Sequence, residues 1–187
     1  MVSQFLGPAE RRAVSLLICF VDIGRFFRFS LRIPDAAIAD FLDEFYSRIH
    51  SRVTASGGHV VKYMGDSALI VFPEEGVDEG VLALLELRDE IDRWLAGMGV
   101  EASLAVKVHF GTAIAGPFGP EGARRFDVIG NNVNLAAVLQ TRAMALSAQA
   151  FRRLSKETRR RFKKHTPPVI YIPLEEARPK SASVRGS

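Results

Sequence analysis

One short apolar segment constrains the fold more than any other feature of this sequence. Residues 16–21 form the longest uninterrupted apolar run, and together with Asp22 and Ile23 they make a segment bounded by charged residues. A run of this length is typical of a strand buried on both faces. It is far shorter than the roughly 20 residues that cross a bilayer, so it predicts no membrane segment. The sequence therefore predicts a sheet whose first strand lies inside the protein.

The composition indicates a cytoplasmic protein with one globular domain. The chain has 187 residues, of which 48% are hydrophobic and 25% charged, and a domain of about 150 residues already buries roughly 70% of its unfolded surface. Cys19 is the only cysteine, which excludes a disulfide-rich secreted scaffold. We expect residues 1–12 to be an N-terminal extension, residues 13–175 the domain, and residues 176–187 a disordered basic tail.

Hydrophobic spacing predicts the order strand, helix, hairpin, helix, strand. After the first strand, apolar residues recur every three or four positions between Pro34 and Gly57, as on the buried face of a helix. Two β-rich runs then flank Gly65, Asp66 and Ser67, which predicts a hairpin with these residues at its tip. A second helix is expected over residues 77–98, and a half-exposed strand over residues 104–115.

This βαββαβ order predicts an α+β fold of the ferredoxin-like type, with helices on one face of a mostly antiparallel sheet. Additional C-terminal elements are expected: strand 126–129, helix 132–144, helix 151–164 and strand 169–172. Residues 152–187 hold 11 basic and 3 acidic side chains, which indicates either a patch for nucleic acid or anionic membrane, or a solvated helix face. We favour the solvated face and expect no nucleic-acid partner, because no aromatic residues interleave the charges.

Two aspartates are the best candidates for chemistry. Asp22 stands at the end of the first predicted strand, and Asp66 lies at the tip of the predicted hairpin. If the hairpin pairs beside the first strand, both carboxylates lie at the same edge, where they could hold divalent cations over a nucleoside triphosphate. Either aspartate alone is commonly a strand-end or turn residue. No HExxH, CxxC or Walker motif offers a competing chemistry.

Three segments, in this order, resemble the class III nucleotidyl cyclases, which make cyclic AMP or cyclic GMP. The first is Phe-Val-Asp-Ile at residues 20–23, and the second is Val-Lys-Tyr-Met-Gly-Asp at residues 61–66. The third is Phe-Asp-Val-Ile-Gly-Asn-Asn-Val-Asn-Leu-Ala-Ala at residues 126–137. The match extends over residues 16–162 and implies the class III cyclase fold.

The resemblance also implies roles for individual residues. Asp22 and Asp66, with the Ile23 carbonyl, would ligate two divalent cations, Mg²⁺ or Mn²⁺, that activate the ribose 3′-hydroxyl and bind the triphosphate. Attack of that hydroxyl on the α-phosphorus expels pyrophosphate. Lys62 and Asp127 match the pair that selects adenine.

Asn134 would hold the ribose oxygen and orient the nucleophile in such a cyclase. The family takes its metal aspartates from one chain and its base-selecting residues from the partner, so the resemblance implies a homodimer. Relatives are often fused to a sensor domain, and we expect no regulatory domain in this chain.

The sequence departs from the family pattern at three places. Bulky Arg25 follows the first metal segment where the family has glycine, and either it or Arg28 could bind a phosphate instead. Val138 stands where the family has an arginine that stabilises the transition state. Arg142 would lie one turn further along the same face of the predicted helix, and it could take over this catalytic role.

The third departure concerns the terminal phosphates. The family commonly has a lysine-glycine segment there, whereas this chain has Lys163 and Lys164 before His165. A different phosphate contact would therefore be needed, and Lys163 or Lys164 could supply it.

The resemblance favours an adenylate cyclase that is slow and prefers Mn²⁺, with ATP as its substrate. Two alternatives remain open. One is a cyclase for another nucleotide, GTP or a pyrimidine triphosphate. The other is a degenerate cyclase-like dimer that binds nucleotide and signals without turnover, which Val138 supports and the retained aspartates oppose.

Overall fold

The computed structural model describes residues 10–166 and 169–177. The strands are β1 Arg12–Gly24, β2 His59–Met64, β3 Ser67–Pro73, β4 Ser103–Phe118, β5 Arg125–Ile129, β6 Met144–Ser147, β7 Phe162–His165 and β8 Ile170–Pro173. The helices are α1 Phe26–Ser30, α2 Asp35–Ala55, α3 Val77–Gly97, α4 Asn131–Ala137, α5 Ala148–Arg153 and α6 Lys156–Arg159. Residues 1–9 and 178–187 lie outside the described part, and with them most of the predicted N-terminal extension and C-terminal tail.

All eight strands join one sheet in the order β2-β3-β1-β4-β6-β8-β7, and β5 pairs with β4. The first four strands have the order and antiparallel pairing of a ferredoxin-like βαββαβ unit, which confirms the predicted α+β fold. The parallel pairing of β4 with β6 makes the complete sheet mixed. β1 lies at the centre of the unit, as its uninterrupted apolar run predicts.

Strand alternation divides the interior into two apolar cores. Leu17, Cys19 and Val21 of β1 face the core that α2 and α3 cover. Leu16 and Ile18 face the opposite core, together with apolar residues of β5 and α4. Burial raises the pKa of the Cys19 thiol well above its usual value, so Cys19 acts as a small apolar core residue.

The expectation of a half-exposed β4, with helices on one sheet face only, is wrong. His109, on the face predicted to be exposed, is 3% exposed. The reason is that α4 packs on this second face of the sheet, where Val133 and Ala136 enter the second core. Sequence alternation shows which residues share a face, but not what covers that face.

Both predicted C-terminal helices are also shorter than expected. α4 ends at Ala137 rather than continuing to residue 144, since the chain next forms β6 beside β4. The predicted helix over residues 151–164 is divided into α5, α6 and β7. Ser155 causes the break, because its backbone is extended and its N–H donates to the Asp78 carboxylate at 3.0 Å while its hydroxyl caps α6. In the described residues, no helix has both the length and the apolar character needed to cross a membrane.

Candidate active site

The second face of the sheet carries most of the predicted site residues. Asp22 lies between Val21 and Ile23, which point to the core beneath α2 and α3, so its side chain lies on the opposite face. Lys62 pairs across the hairpin with Leu69, a residue of the second core. This is the face on which α4 packs, so the three resemblance segments converge there.

The hairpin brings the two aspartates together at one end of the paired strands β1 and β3, as predicted. Asp22 lies opposite Ser67, and the N–H of Ile23 donates to the carbonyl of Asp66 at 3.1 Å. Gly65 and Asp66 form a two-residue loop between paired Met64 and Ser67. Gly65 has a φ of 64°, which is why glycine suits the first position of this loop.

The electrostatics of this edge suit a cation. Burial raises the pKa of Asp66, its own backbone N–H opposes that shift, and the negative charge of Asp22 raises the pKa further. The charge of Asp22 therefore disfavours ionisation of Asp66, and a bound cation would reverse this effect.

The donor set fits the divalent cations that the resemblance implies. Asp22 and Asp66 supply carboxylate oxygens, which Mg²⁺ and Mn²⁺ prefer. The N–H and C=O of a strand residue point to the same side, so the Ile23 carbonyl is also directed towards the hairpin. The described residues contain no group of three or more His, Cys, Asp or Glu side chains that could hold a metal. Carbonyl, phosphate and water oxygens would therefore have to complete the coordination.

Tyr46 of α2 supports the loop that carries Asp66. Its hydroxyl donates to the Gly65 carbonyl at 2.7 Å, and its ring stacks on Tyr63 with centroids 4.2 Å apart. The hairpin tip is thus attached to the long helix beneath it. The sequence showed Tyr46 only as one more residue of α2, because the contact depends on how the helix crosses β2.

Lys62 and Asp127 meet, although 65 positions separate them in the chain. The Lys62 Nζ lies 2.7 Å from Asp127 Oδ2, and Asp127 Oδ1 accepts the N–H of Val128 at 2.8 Å. The adjoining His59 and Phe126 rings make an edge-to-face contact with centroids 5.5 Å apart. β5 therefore lies against β2, and it places a donor beside an acceptor on one surface.

Asn134 lies exposed on α4, but the structure removes the argument for Arg142. The helix ends at Ala137, and Val138 is its C-terminal cap with a 64% exposed side chain. Arg142 lies in the connection to β6, and its carbonyl accepts the Ser103 hydroxyl at 3.4 Å. It is therefore not one helical turn beyond Val138, because the helix that this prediction assumed does not extend so far.

Arg25 has the left-handed backbone conformation that is easiest for glycine. Its φ is 67° and its ψ is 17°, and it is the only non-glycine residue with positive φ among those the structure describes. Its side chain is exposed at the start of α1. This explains the family's glycine at the matching position and shows that Arg25 is held in a strained conformation.

Lys163 and Lys164 are exposed in β7, at the far end of the sheet. β4, β6 and β8 separate this strand from β1, which carries Asp22. The structure therefore does not bring either lysine to the two aspartates of the same chain.

Lys107 contacts the candidate metal residues, and sequence reasoning missed it. Its Nζ lies 3.3 Å from Asp22 Oδ2 and 3.5 Å from the Ala137 carbonyl at the end of α4. The signal in the sequence was a charged residue between two valines of β4, Val106 and Val108. We interpreted it as the exposed face of a strand, because its partner lies 85 positions earlier in the chain.

A buried polar network orients the start of α4. His109 Nδ1 lies 2.9 Å from the Ser147 hydroxyl, and His109 Nε2 lies 3.0 Å from Asn132 Oδ1. The Asn132 amide nitrogen donates to the Thr112 carbonyl at 2.8 Å. Because Asn132 Oδ1 can only accept, the Nε2 of His109 is the donor in this contact. The network connects β4, β6 and the helix that carries Asn134.

Gly111 makes room for this network. A Cβ at this position would lie 2.3 Å from the side-chain carbon Cγ of Asn132. Gly111 is therefore not a turn residue. It lies within β4, and its missing side chain allows Asn132 to pack against the strand.

A surface pocket of about 430 Å³ lies elsewhere, between α2 and α3. Its charged lining residues pair with one another, as in the contacts of Arg48 with Glu44 at 2.6 Å and with Glu90 at 3.2 Å. None of the predicted site residues lines this pocket. The predicted site is thus a surface of the chain rather than part of this cavity.

Known proteins match this chain in sequence and in structure. The chain is 22% identical over 183 residues to adenylate cyclase 2 of Rhizobium meliloti, which covers 94% of this chain and 48% of that protein. The chain spans less than half the length of the first two curated relatives it matches.

Two solved structures show the same fold. A bacterial light-regulated adenylyl cyclase has a TM-score of 0.78 at 21% identity, covering 91% of this chain and 54% of that one. The guanylyl cyclase Cya2 has a TM-score of 0.71 at 17% identity, covering 87% of this chain and 91% of that one. The family model for the adenylate and guanylate cyclase catalytic domain matches residues 9–167. The chain therefore contains a catalytic domain of the class III adenylate and guanylate cyclases and belongs to that family.

Proposed function

We propose that this chain converts ATP to 3′,5′-cyclic AMP and pyrophosphate, at a site formed between two copies of the chain. The observation that carries this proposal is the pairing of Lys62 with Asp127, because it presents a hydrogen-bond donor and an acceptor side by side. Both residues also occupy the positions that select adenine in the family that the sequence resembles.

The pair retains the capacity to bind a base. A lysine ammonium has three protons, and the contact with Asp127 uses one of them. A carboxylate oxygen has two lone pairs, so Asp127 Oδ2 can accept from an amino group while it still contacts Lys62. Adenine offers a ring nitrogen acceptor beside its amino donor, which matches this arrangement. The side chains of Lys62 and Asp127 are 42% and 24% exposed, so a base can reach both.

Asp22, Asp66 and the Ile23 carbonyl would hold the divalent cations. When bound, such cations lower the pKa of the ribose hydroxyl and neutralise the triphosphate. Arg25 stands at the turn after this segment, with an exposed guanidinium that can bind a phosphate oxygen. Asn134 would hold the ribose ring oxygen and so orient the 3′-hydroxyl towards the α-phosphorus.

The surface around Asn134 supports a dimeric site. Leu135, Val138 and Ile129 are 49%, 64% and 48% exposed, respectively, on α4, at its end, and on the adjoining strand β5. Apolar side chains exposed beside a candidate site are typical of a protein interface. A homodimer would cover them and bring the aspartates of one chain to the Lys62 and Asn134 of the other.

The first experiment is product analysis with ATP, GTP, CTP and UTP, each with Mn²⁺ and with Mg²⁺. We expect cyclic AMP from ATP and none from Asp66→Asn. A cyclic pyrimidine or cyclic GMP as the main product would contradict the assignment of Lys62 and Asp127. Binding of ATP without any product would instead support the non-catalytic dimer, for which Val138 is the sequence argument.

Complementation tests the shared site. Asp66→Asn and Asn134→Ala chains should each be inactive, and an equal mixture should regain about one quarter of the wild-type activity, because half of the dimers are mixed and each has one intact site. No recovery after subunit exchange would contradict the shared site. Arg142→Ala is the separate test of the arginine prediction, and wild-type activity in that variant would remove it.

A further inference from the structure

Lys107 places a positive charge directly on a candidate metal ligand. Its Nζ lies 3.3 Å from Asp22 Oδ2, and the two side chains are 22% and 31% exposed. Both side chains are therefore partly shielded from water, which weakens their attraction less than full exposure would.

The sheet itself determines this contact. Asp22 lies opposite Ala105 in the register of β1 and β4, and Lys107 is two positions further along β4 on the same face. Long side chains in this diagonal relation reach each other. The Ala137 carbonyl, 3.5 Å from the same Nζ, fixes the ammonium from the side of α4. Strand pairing and helix packing therefore both hold the charge beside Asp22.

We infer that Lys107 takes the place of one divalent cation at this site, so that each chain binds one divalent cation with nucleotide where the family resemblance implies two. The inference rests on the proposed function. The fixed ammonium supplies a positive charge next to Asp22, and it repels a second cation that approaches the same carboxylate. One divalent cation remains, held by Asp66, by Oδ1 of Asp22 and by the Ile23 carbonyl.

The size of the effect follows from electrostatics. A unit charge about 4 Å from a divalent cation changes the affinity for that cation by roughly tenfold or more, even in a water-like dielectric. We therefore expect Lys107→Met, which keeps the length and apolar stem of the side chain, to bind Mn²⁺ about tenfold more tightly. Lys107→Arg keeps the charge and should resemble the wild type. Lys156→Met, an exposed lysine on α6, is the matched control.

The experiment counts Mn²⁺ bound per chain by electron paramagnetic resonance, with the non-cyclisable analogue α,β-methylene-ATP present. We expect one ion per chain in the wild type, Lys107→Arg and Lys156→Met, and two in Lys107→Met. Two ions in the wild type, or one in Lys107→Met with unchanged affinity, would overturn the inference. A merely structural salt bridge would lower the melting temperature of Lys107→Met and leave the ion count at one.

A second variant makes the result specific to Asp22. In an Asp22→Asn background, Lys107→Met should change the affinity for Mn²⁺ by less, because no carboxylate then holds the ammonium beside the metal position. An undiminished change in that background would also overturn the inference. The ion count requires no turnover, so it is distinguishable from failure of the proposed cyclase activity, which product analysis measures.

Discussion

Replacing Arg25 with glycine should make the protein more stable and its nucleotide binding weaker. Arg25 has a φ of 67°, and the left-handed conformation costs a non-glycine residue about 1–2 kcal/mol. Glycine removes this strain but adds about 0.5–1 kcal/mol of backbone entropy to the unfolded state. The free energy of unfolding of Arg25→Gly should therefore rise by about 0.5–1 kcal/mol.

Two neighbouring substitutions isolate the cause. Arg25→Ala removes the guanidinium but keeps the strained φ, so its stability should not rise. Arg28→Gly removes an arginine from α1, where the backbone is helical, and should lower the free energy of unfolding by about 1 kcal/mol. Two arginine-to-glycine changes three positions apart should thus have opposite signs.

Thermal and urea unfolding measure the stability, and the KM for ATP measures the binding. For a protein of this size, about 1 kcal/mol corresponds to a shift of roughly 2–4 °C in Tm. We expect Arg25→Gly and Arg25→Ala to raise the KM alike, since both lose the phosphate contact. A Tm that falls in Arg25→Gly would refute the strain argument, and an unchanged KM in both variants would refute the phosphate contact.

Three further predictions concern the supports of the site. Gly111→Ala should displace Asn132, because the new Cβ would lie 2.3 Å from the Cγ of that side chain. We expect the free energy of unfolding in urea to fall by about 1–3 kcal/mol and kcat to fall as well, and wild-type stability would contradict the tight packing. Tyr46→Phe removes the 2.7 Å hydrogen bond to the Gly65 carbonyl but keeps the ring. The free energy of unfolding should fall by about 0.5–1.5 kcal/mol and the affinity for Mn²⁺ should fall with it, whereas unchanged Mn²⁺ affinity would show that the loop needs no such support. Burial lowers the pKa of His59, and the nearby charge of His50 lowers it further. Because the unfolded state then binds more protons, the free energy of unfolding should fall as the pH drops from 7.5 towards 5, and it should fall by less in His59→Gln; equal pH slopes in the two proteins would reject this role.

Local patterns predicted much of the candidate site. Asp66 could be placed at a hairpin tip because Gly65, Asp66 and Ser67 are turn-forming residue types between two β-rich runs. Asp22 could be placed near Asp66 because it ends an apolar strand, and pairing of the hairpin beside that strand brings the two residues together. The pairing of Lys62 with Asp127, in contrast, was expected only from the family resemblance, since no local pattern relates residues so far apart.

Other expectations failed where packing overrode local preference. The Ala- and Leu-rich residues after Asn134 favour a longer helix, yet α4 ends at Ala137 because the following chain pairs with β4 as β6. The helical argument for Arg142 depended on that longer helix, so the role of Arg142 stays a prediction without it. The basic segment 151–164 was interrupted because Asp78, from a distant helix, accepts the N–H of Ser155.

The sequence by itself determined the order of the elements in the βαββαβ unit, the hairpin and the identity of the charged groups, because these depend on hydrophobic period and turn chemistry over a few residues. Only the tertiary structure decided what those groups contact. The register of β1 against β4 brings Lys107 to Asp22, and the packing of α4 encloses His109. Contacts of this kind depend on how whole strands and helices align, and a linear sequence carries no local signal for that alignment.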